Sequence, residues 1–151
     1  MKSYSRQQYE ALQDAQDQNF RGIKRESEDW IQANFIAWVD RNKTAHPKLD
    51  LIYSVPNGAN KSKMARWVMG LTGLRSGVPD LHLPYPFHSP TISYNGLWIE
   101  FKVPKGVTSP NQKLWHEKLR RAEHLVVICT SWKQAANTVI DYLRLDMEKL
   151  V

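Results

Sequence analysis

The fold of this chain can be inferred from one segment, Leu97-Trp98-Ile99-Glu100-Phe101-Lys102-Val103. Apolar residues occupy every second position, which predicts a strand with one face buried in a hydrophobic core. Trp98, Glu100 and Lys102 then share the opposite face, where neighbouring side chains lie roughly 6.5 to 7 Å apart. Glu100 and Lys102 can therefore address one site from a single strand.

A second acidic residue precedes this strand, in the segment Gly77-Val78-Pro79-Asp80. Two carboxylates suit a divalent cation such as Mg²⁺ or Mn²⁺, because hard cations prefer oxygen ligands, and the carbonyl oxygen of Phe101 could be a third ligand. Lys102 would orient the attacking water or hold a phosphate oxygen. The pattern predicts phosphodiester hydrolysis. The competing interpretation is an exposed strand face on which Glu100 and Lys102 neutralise each other.

Length, charge and cysteine content narrow the class of protein. The chain has 151 residues, 42% of them apolar, and a formal charge of +6. These values predict a folded domain with a sizeable core, and the basic balance favours a polyanionic partner. No segment approaches the ~20 apolar residues of a membrane span, and the first residues lack the apolar core of a signal peptide. The single cysteine, Cys129, lies in an apolar run and predicts a core residue in a reducing, cytoplasmic location.

Periodicity and capping residues predict five helices. They are a weak helix within residues 3–20, a helix from Ser27 to near Asp40, one over residues 61–74, one that opens on the capping box Ser109-Pro110-Asn111-Gln112, and one from Ser131 through Leu143. Most of the six tryptophans fall on apolar faces of these elements and are expected in the core, with the exception of Trp98, which shares a face with Glu100 and Lys102.

Strand signals alternate with the helices. The expected strands are residues 49–55 ended by the turn Pro56-Asn57-Gly58, residues 81–83, a hairpin of residues 92–94 and 97–99 across Asn95-Gly96, and a fully buried strand over residues 125–130. The order of elements predicts an α/β fold, a sandwich with a central mixed β-sheet flanked by helices.

Several motifs together resemble a known family. Their residues are Gly73-x-x-x-Gly77-Val78-Pro79-Asp80, then Ile99-Glu100-Phe101-Lys102, then Lys105-Gly106-x-x-Ser109-x-x-Gln112. They are similar to the motifs of the virus-type replication-repair nuclease domain, VRR-NUC. That family belongs to the PD-(D/E)xK superfamily, shared with restriction endonucleases and Holliday-junction resolvases. The resemblance covers roughly residues 26–143 and implies a restriction-endonuclease-like fold.

The resemblance implies a role for each residue of the core motif. Asp80 and Glu100 would be the metal ligands and Lys102 the catalytic lysine. Gln112 matches a glutamine that helps to order the site in such nucleases. The capping box explains Gln112 equally well, so both interpretations stay open.

The family also has an acidic residue on its first helix, a few residues before a glutamine. Glu28 lies four residues before Gln32, one helical turn along the same face, and is assigned to this position. Glu26 and Asp29 are neighbouring candidates.

The resemblance further implies a metal-dependent DNA endonuclease. Small stand-alone members resemble phage-encoded proteins and tend to form homodimers that cut structured DNA such as four-way junctions. Residues 1–25 are expected to form a polar helical arm, a candidate for dimerisation, and residues 26–151 the nuclease domain. A phage-encoded protein of this kind would act in the host cytoplasm.

Two alternatives to a structure-selective nuclease remain. One is a non-catalytic nucleic-acid-binding module with a nuclease fold, which the intact acids and lysine disfavour. The other is a sequence-specific restriction-like enzyme, disfavoured because no insertion large enough to read base edges is evident.

Basic residues and histidines carry weaker signals. Six cations could together line a phosphate-binding surface, although each taken singly is better explained as a solvated charge: Lys61, Lys63, Arg66, Arg75, Lys105 and Lys113. The five histidines have no metal-ligand spacing, so no zinc site is expected.

Overall fold

The computed structural model describes residues 5–56 and 61–151. The chain divides into two compact units. The first consists of Met1–Ile52, Phe101–Gly106 and Ile128–Val151, and the second of Tyr53–Glu100 and Val107–Val127. The predicted turn at Asn57-Gly58 and the first residues of the predicted helix at 3–20 lie outside the described residues.

Helices and strands alternate along the chain in the order that the sequence predicts, with additional short elements. In chain order they are α1 (Arg6–Asp14), α2 (Glu28–Asn42), a 3₁₀ helix (Pro47–Leu51), β1 (Tyr53–Ser54), α3 (Lys63–Leu71), β2 (Leu81–Leu83), β3 (Phe87–His88), β4 (Ser93–Tyr94), β5 (Leu97–Phe101), α4 (Pro110–Arg121), β6 (Leu125–Cys129), α5 (Trp132–Leu143) and a second 3₁₀ helix (Met147–Lys149).

The core of the first unit lies where α2 packs against α5. Ser27 caps α2 by accepting a hydrogen bond from the Trp30 amide, and the buried side chains then follow at helical spacing. Phe35 and Trp38, both fully buried, stack with ring centroids 5.8 Å apart. The Phe101 ring lies 5.9 Å from Phe35 and joins this aromatic cluster. Burial of large aromatic rings is the main stabilising contribution of this core.

The N-terminal helix α1 packs within the first unit. A capping box starts it at Ser5, and Tyr9 is buried with its hydroxyl accepting a hydrogen bond of 2.6 Å from the Trp38 indole. Arg6 forms an ion pair with Asp141 of α5 at 2.7 Å. The polar arm predicted for residues 1–25 therefore includes a helix that contributes to the core of its own chain.

A four-stranded sheet in the order β1-β2-β5-β6 centres on the second unit. β2 pairs antiparallel with both β1 and β5. The Leu125 amide donates to the Gly96 carbonyl and the Lys102 amide to the Cys129 carbonyl, so β5 and β6 advance in the same direction and form a parallel pair. The sheet is therefore mixed, and α4 is the crossover between its parallel strands. The α/β class with a central mixed sheet and helices is confirmed.

The predicted hairpin across Asn95-Gly96 is wrong. β4 pairs with β3 in a separate two-stranded sheet, and β5 pairs with β2 and β6 instead. The Asn95 amide donates to the Glu123 carbonyl, just beyond the end of α4. A Cβ atom on Gly96 would lie 3.0 Å from both His82 Nε2 and the Leu83 carbonyl oxygen, so glycine is needed here for close packing.

The strand predicted over residues 49–55 is also mostly wrong. Pro47 starts a 3₁₀ helix that takes up the first half of this segment, and only Tyr53–Ser54 form a strand. The strand at β6 is half-buried rather than fully buried, because it lies at the edge of the sheet and exposes Ile128. Cys129 at its end is buried, as predicted, and burial raises the pKa of its thiol to about 11.

Tryptophan burial differs from expectation as well. Trp30, Trp38 and Trp132 are buried, Trp98 and Trp115 are half-buried, and Trp67 on α3 is exposed. Periodicity correctly placed Trp67 on one helical face, but no described residue covers that face. None of the described helices is long and apolar enough to cross a membrane.

Candidate active site

The strand register places Asp80 opposite Glu100. In the antiparallel pair of β2 and β5, Leu81 lies opposite Ile99 and His82 opposite Trp98. One step back from Leu81 is Asp80, and one step on from Ile99 is Glu100. Residues directly opposite each other in such a pair have Cβ atoms roughly 4.5 to 5.5 Å apart. The register therefore places Asp80 and Glu100 on the same face of the sheet, opposite the core residues of these strands.

A main-chain hydrogen bond holds the backbone of Asp80, and burial surrounds Glu100. The Asp80 carbonyl accepts a hydrogen bond of 2.8 Å from the Val55 amide, which fixes the start of β2. Glu100 is 1% exposed although its carboxylate is polar. A buried carboxylate is tolerated only where hydrogen bonds or a cation compensate for lost hydration. The surroundings of Glu100 are therefore the centre of the candidate site.

Gln112 both caps α4 and binds Glu100. Its Oε1 accepts a hydrogen bond of 2.8 Å from the Ser109 amide, and the Ser109 hydroxyl accepts one from the Gln112 amide. Its Nε2 donates to Glu100 Oε1 at 2.5 Å. One conformation of Gln112 thus makes both the capping contacts and a contact with Glu100, and its part in ordering an active site stays a prediction.

His116 was not assigned from the sequence. It lies four residues after Gln112 on the same face of α4, is buried, and places Nε2 3.9 Å from Glu100 Oε2. Two side chains on one face of α4 therefore lie next to the two oxygens of the Glu100 carboxylate, Gln112 at Oε1 and His116 at Oε2. The signal that could have identified His116 is its spacing of four residues from Gln112.

Close backbone packing holds the loop before Asp80 against the start of α4. Gly77 has φ of +93°, and a Cβ atom there would lie 2.5 Å from the Asn111 carbonyl carbon. The Asn111 side chain also donates to the Ser76 hydroxyl at 3.3 Å. The glycine of the Gly77-Val78-Pro79-Asp80 motif thus permits an approach that any side chain would prevent.

Aromatic rings cover the same sheet face beyond the acids. His82 stacks on Trp98 with centroids 4.0 Å apart, and its Nδ1 lies 2.8 Å from the Tyr53 hydroxyl. The His124 ring contacts both His82 and Trp98 edge-on. Burial, with a smaller contribution from the nearby His124, lowers the pKa of His82 to about 4. His82 is therefore neutral at pH 7.

Lys102 and Glu28 meet in the first unit. Lys102 is the first residue after β5 and is 7% exposed. Its Nζ lies 3.5 Å from Oε1 of Glu28, the first residue of α2. Glu28, the acid assigned to this position from the sequence, is thus in contact with Lys102, and its catalytic role stays a prediction. The Phe101 side chain lies in the aromatic cluster around Phe35.

The side chains that could bind a divalent cation at this site are carboxylates. Within residues 5–56 and 61–151, no group of three or more His, Cys, Asp or Glu side chains is arranged to hold a metal ion. Mg²⁺ keeps several waters and is commonly bound by one or two carboxylates, so Asp80 and Glu100 with a carbonyl oxygen fit its requirements. Soft-metal sites need thiolate or imidazole clusters, which this set lacks.

Comparison with protein families then identifies the chain. The model of the VRR-NUC domain matches residues 23–133. The chain belongs to the VRR-NUC family. Membership implies a nuclease-type function with DNA as the substrate class, and nuclease domains of this kind typically use divalent metals.

A solved structure described as a VRR_NUC domain protein has the same fold. It superposes with a TM-score of 0.66 at 24% sequence identity, covering 82% of this chain and 93% of that one. At this identity the likeness supports the fold alone. Comparison with curated proteins gives no significant match.

Proposed function

We propose that this VRR-NUC protein is a metal-dependent endonuclease that hydrolyses phosphodiester bonds in structured or branched DNA, such as four-way junctions. The observation that carries the proposal is the register of β2 and β5, which brings Asp80 opposite the buried Glu100. The family relationship supports a nuclease, and the net charge of +6 favours a DNA partner.

In the proposed mechanism, two acidic residues share the task of binding the metal ion. Asp80 and Glu100 would hold Mg²⁺ or Mn²⁺, with the Phe101 carbonyl as a third ligand. When bound, the cation supplies a more acidic water and neutralises charge on the scissile phosphate. Gln112 keeps Glu100 oriented through its Nε2 hydrogen bond, so the carboxylate does not have to reorganise when the substrate arrives.

Lys102 is the residue proposed to supply a positive charge to the reaction. It follows Glu100 by two positions of extended chain, so the two Cα atoms are roughly 6.5 to 7 Å apart. Its ammonium would orient the attacking water or bind a non-bridging phosphate oxygen. Glu28 would direct the Lys102 ammonium through their contact of 3.5 Å.

The proposed function also includes an oligomeric state and a cellular location. We expect a homodimer, because two active sites would cut both strands of a symmetric junction. The arm proposed at residues 1–25 contains α1, which buries Tyr9 and Gln13 within its own unit while its other residues stay exposed, so the helix can both support its own chain and offer a surface to a partner. We place the activity in the cytoplasm, in agreement with a single buried thiol.

A panel of DNA substrates tests the proposal. Linear duplex, flap, splayed and four-way DNA are incubated with the wild-type protein in Mg²⁺, Mn²⁺ or EDTA. Cleavage that needs a divalent cation and favours branched DNA is the expected result. Asp80→Asn and Lys102→Ala are each expected to lower the cleavage rate by about 10²- to 10³-fold or more, because each removes a charge that acts on the transition state.

The matched control is Lys149→Ala, which removes an exposed lysine that lies in the same unit as Lys102 and is not among the six candidate phosphate-binding cations. It should retain cleavage within a few-fold, and all variants should keep wild-type circular dichroism. Unchanged nicking by Asp80→Asn would reject the proposed site. Tight binding of branched DNA without cleavage under any metal condition would favour the non-catalytic binding module.

A further inference from the structure

None of residues 5–56 and 61–151 covers the apolar face of α3. Its residues lie at positions i, i+3, i+4 and i+7, so they form one stripe. Their exposed fractions are 69%, 62%, 45% and 68% for Met64, Trp67, Val68 and Leu71, here called the α3 stripe. No residue of α3 is buried. A contiguous group of large exposed apolar side chains marks an interaction surface.

Basic residues surround the α3 stripe. Lys61 and Lys63 lie at the start of α3, Arg66 is adjacent to Trp67, and all three are exposed. Arg75 donates hydrogen bonds to the Gly70 and Leu74 carbonyls at the other end of the helix. No acidic residue occurs anywhere between positions 61 and 79. The surface is therefore apolar along its centre and positively charged at its rim.

This combination fits DNA whose bases are exposed. Apolar and aromatic side chains stack on bases or wedge between them, while neighbouring cations contact the phosphates. A second copy of the same face would bring two sets of like charges together, with no acidic residue in this segment to offset their repulsion. Charge complementarity thus favours a nucleic acid over a second copy.

We propose that the α3 stripe stacks against unpaired bases of the substrate. The preferred substrate class is then DNA with single-stranded or unstacked bases near the cleavage point, rather than continuous duplex. This inference rests on the proposed function, which identifies the polyanion as DNA.

Chain length limits how far from the acids this contact can lie. Leu71 and Asp80 are nine residues apart in the same unit, and an extended chain of that length spans at most ~30 Å. That distance corresponds to roughly nine base pairs of duplex. The unpaired bases are therefore expected within about one turn of the cleaved bond.

The test measures DNA binding without cleavage, in an Asp80→Asn background with Mg²⁺. The substrate is a splayed duplex with 2-aminopurine at the first unpaired base, and fully paired duplex of the same length is the reference. The test variant carries Trp67→Ala with Leu71→Ala. The control carries Val107→Ala with Leu114→Ala, two apolar residues of the same unit that are 83% and 54% exposed.

The test variant is expected to bind splayed DNA about tenfold more weakly, in line with the loss of one base stack, and to lose most of the 2-aminopurine fluorescence change. Its affinity for paired duplex should change less than twofold. The control variant should match the Asp80→Asn background on both DNAs.

Three results would overturn the inference. They are no loss on splayed DNA, an equal loss on both DNAs, and a fall in molar mass by light scattering in the test variant alone, which would assign the α3 stripe to a second copy. A wild-type protein that cuts no DNA, while the fluorescence response still depends on Trp67, would instead reject the proposed function and leave this inference standing.

Discussion

A single amide side chain links helix initiation to the candidate active site. Gln112 accepts a hydrogen bond from the Ser109 amide and donates one to Glu100. The capping contribution and the site contribution of this residue can be separated, because Ser109 takes part only in the first. Stability and activity should therefore respond differently to substitutions at the two positions.

Ser109→Ala and Gln112→Met form the first matched pair. Ser109→Ala removes the hydroxyl that accepts from the Gln112 amide and should lower the free energy of unfolding by about 1 kcal/mol, with cleavage within a few-fold of wild type. Gln112→Met should lower stability similarly and also reduce cleavage by about 10- to 100-fold, since Glu100 loses its donor. Urea denaturation and cleavage rates measure both. Equal activity of the two variants would show that the Gln112 contact with Glu100 has no part in the reaction.

His116 provides a second prediction at the same scale. His116→Leu keeps most of the buried volume but removes the ring nitrogen 3.9 Å from Glu100. Because the carboxylate then loses its contact with the His116 ring, the Mg²⁺ concentration needed for half-maximal cleavage should rise by about tenfold. The exposed His88→Leu is the control. A Mg²⁺ titration with the same midpoint for both variants would contradict the prediction.

At the scale of elements, the loop before β2 and the start of α4 depend on one close backbone contact. Gly77→Ala would place a Cβ atom 2.5 Å from the Asn111 backbone, in addition to the strain of positive φ. Gly73 has φ of +110° but open space around its Cβ position, so Gly73→Ala isolates the conformational strain. We expect Gly73→Ala to cost about 1 kcal/mol and Gly77→Ala at least 2 kcal/mol more. Thermal denaturation gives both values, and similar losses would mean that the contact relaxes freely.

The attachment of α1 is tested by Tyr9→Phe. The substitution leaves the Trp38 indole without its hydroxyl partner inside the core, so the free energy of unfolding should fall by about 1 to 3 kcal/mol. The exposed Gln7→Ala in the same helix should change it by less than 0.5 kcal/mol. If Tyr9→Phe were as stable as wild type, α1 would contribute little to the fold in solution.

Local patterns predicted those elements whose residues act through their near neighbours. The capping box at Ser109 and the alternation around Glu100 involve contacts within a few residues, so they could be read from the sequence. The Asn95-Gly96 pair led to a wrong hairpin prediction. Glycine is typical of a tight turn, but here Gly96 is required because the chain packs closely against its Cα atom. Trp67 misled because periodicity identifies a helical face but not whether anything covers it.

Part of the candidate site could be predicted from local sequence patterns and part could not. The Asp80 to Glu100 pairing needs only the register of two strands, which the alternation of apolar residues strongly constrains. The contact of His116 with Glu100 depends on how α4 lies against the sheet. No local pattern reports that orientation, so His116 was found only in the structure.

At the scale of the whole molecule, acid should destabilise the fold through His82. Its pKa is about 4 in the folded protein, below the ordinary histidine value of 6.5, so the unfolded chain binds the proton more tightly. The associated stability is present above about pH 6.5 and is lost as the pH falls toward 4. After allowance for partial exposure, we expect a loss of about 1 to 2 kcal/mol in metal-free protein.

Urea denaturation in EDTA at pH 7 and pH 5 measures this dependence. His82→Asn should lose less stability than wild type between these two values, whereas His88→Asn should behave like wild type. A wild-type protein and a His82→Asn variant with the same pH dependence would show that His82 titrates alike in the folded and unfolded chains.

The separate sheet of β3 and β4 has a consequence for recognising other members of the family. It is inserted between β2 and β5, whose pairing depends on residues within those two strands. The number of residues between the acids is therefore unconstrained by the geometry of the acids themselves. An alignment that penalises gaps between positions 84 and 96 would reject genuine relatives, so the two halves of the motif should be scored with a spacer of free length.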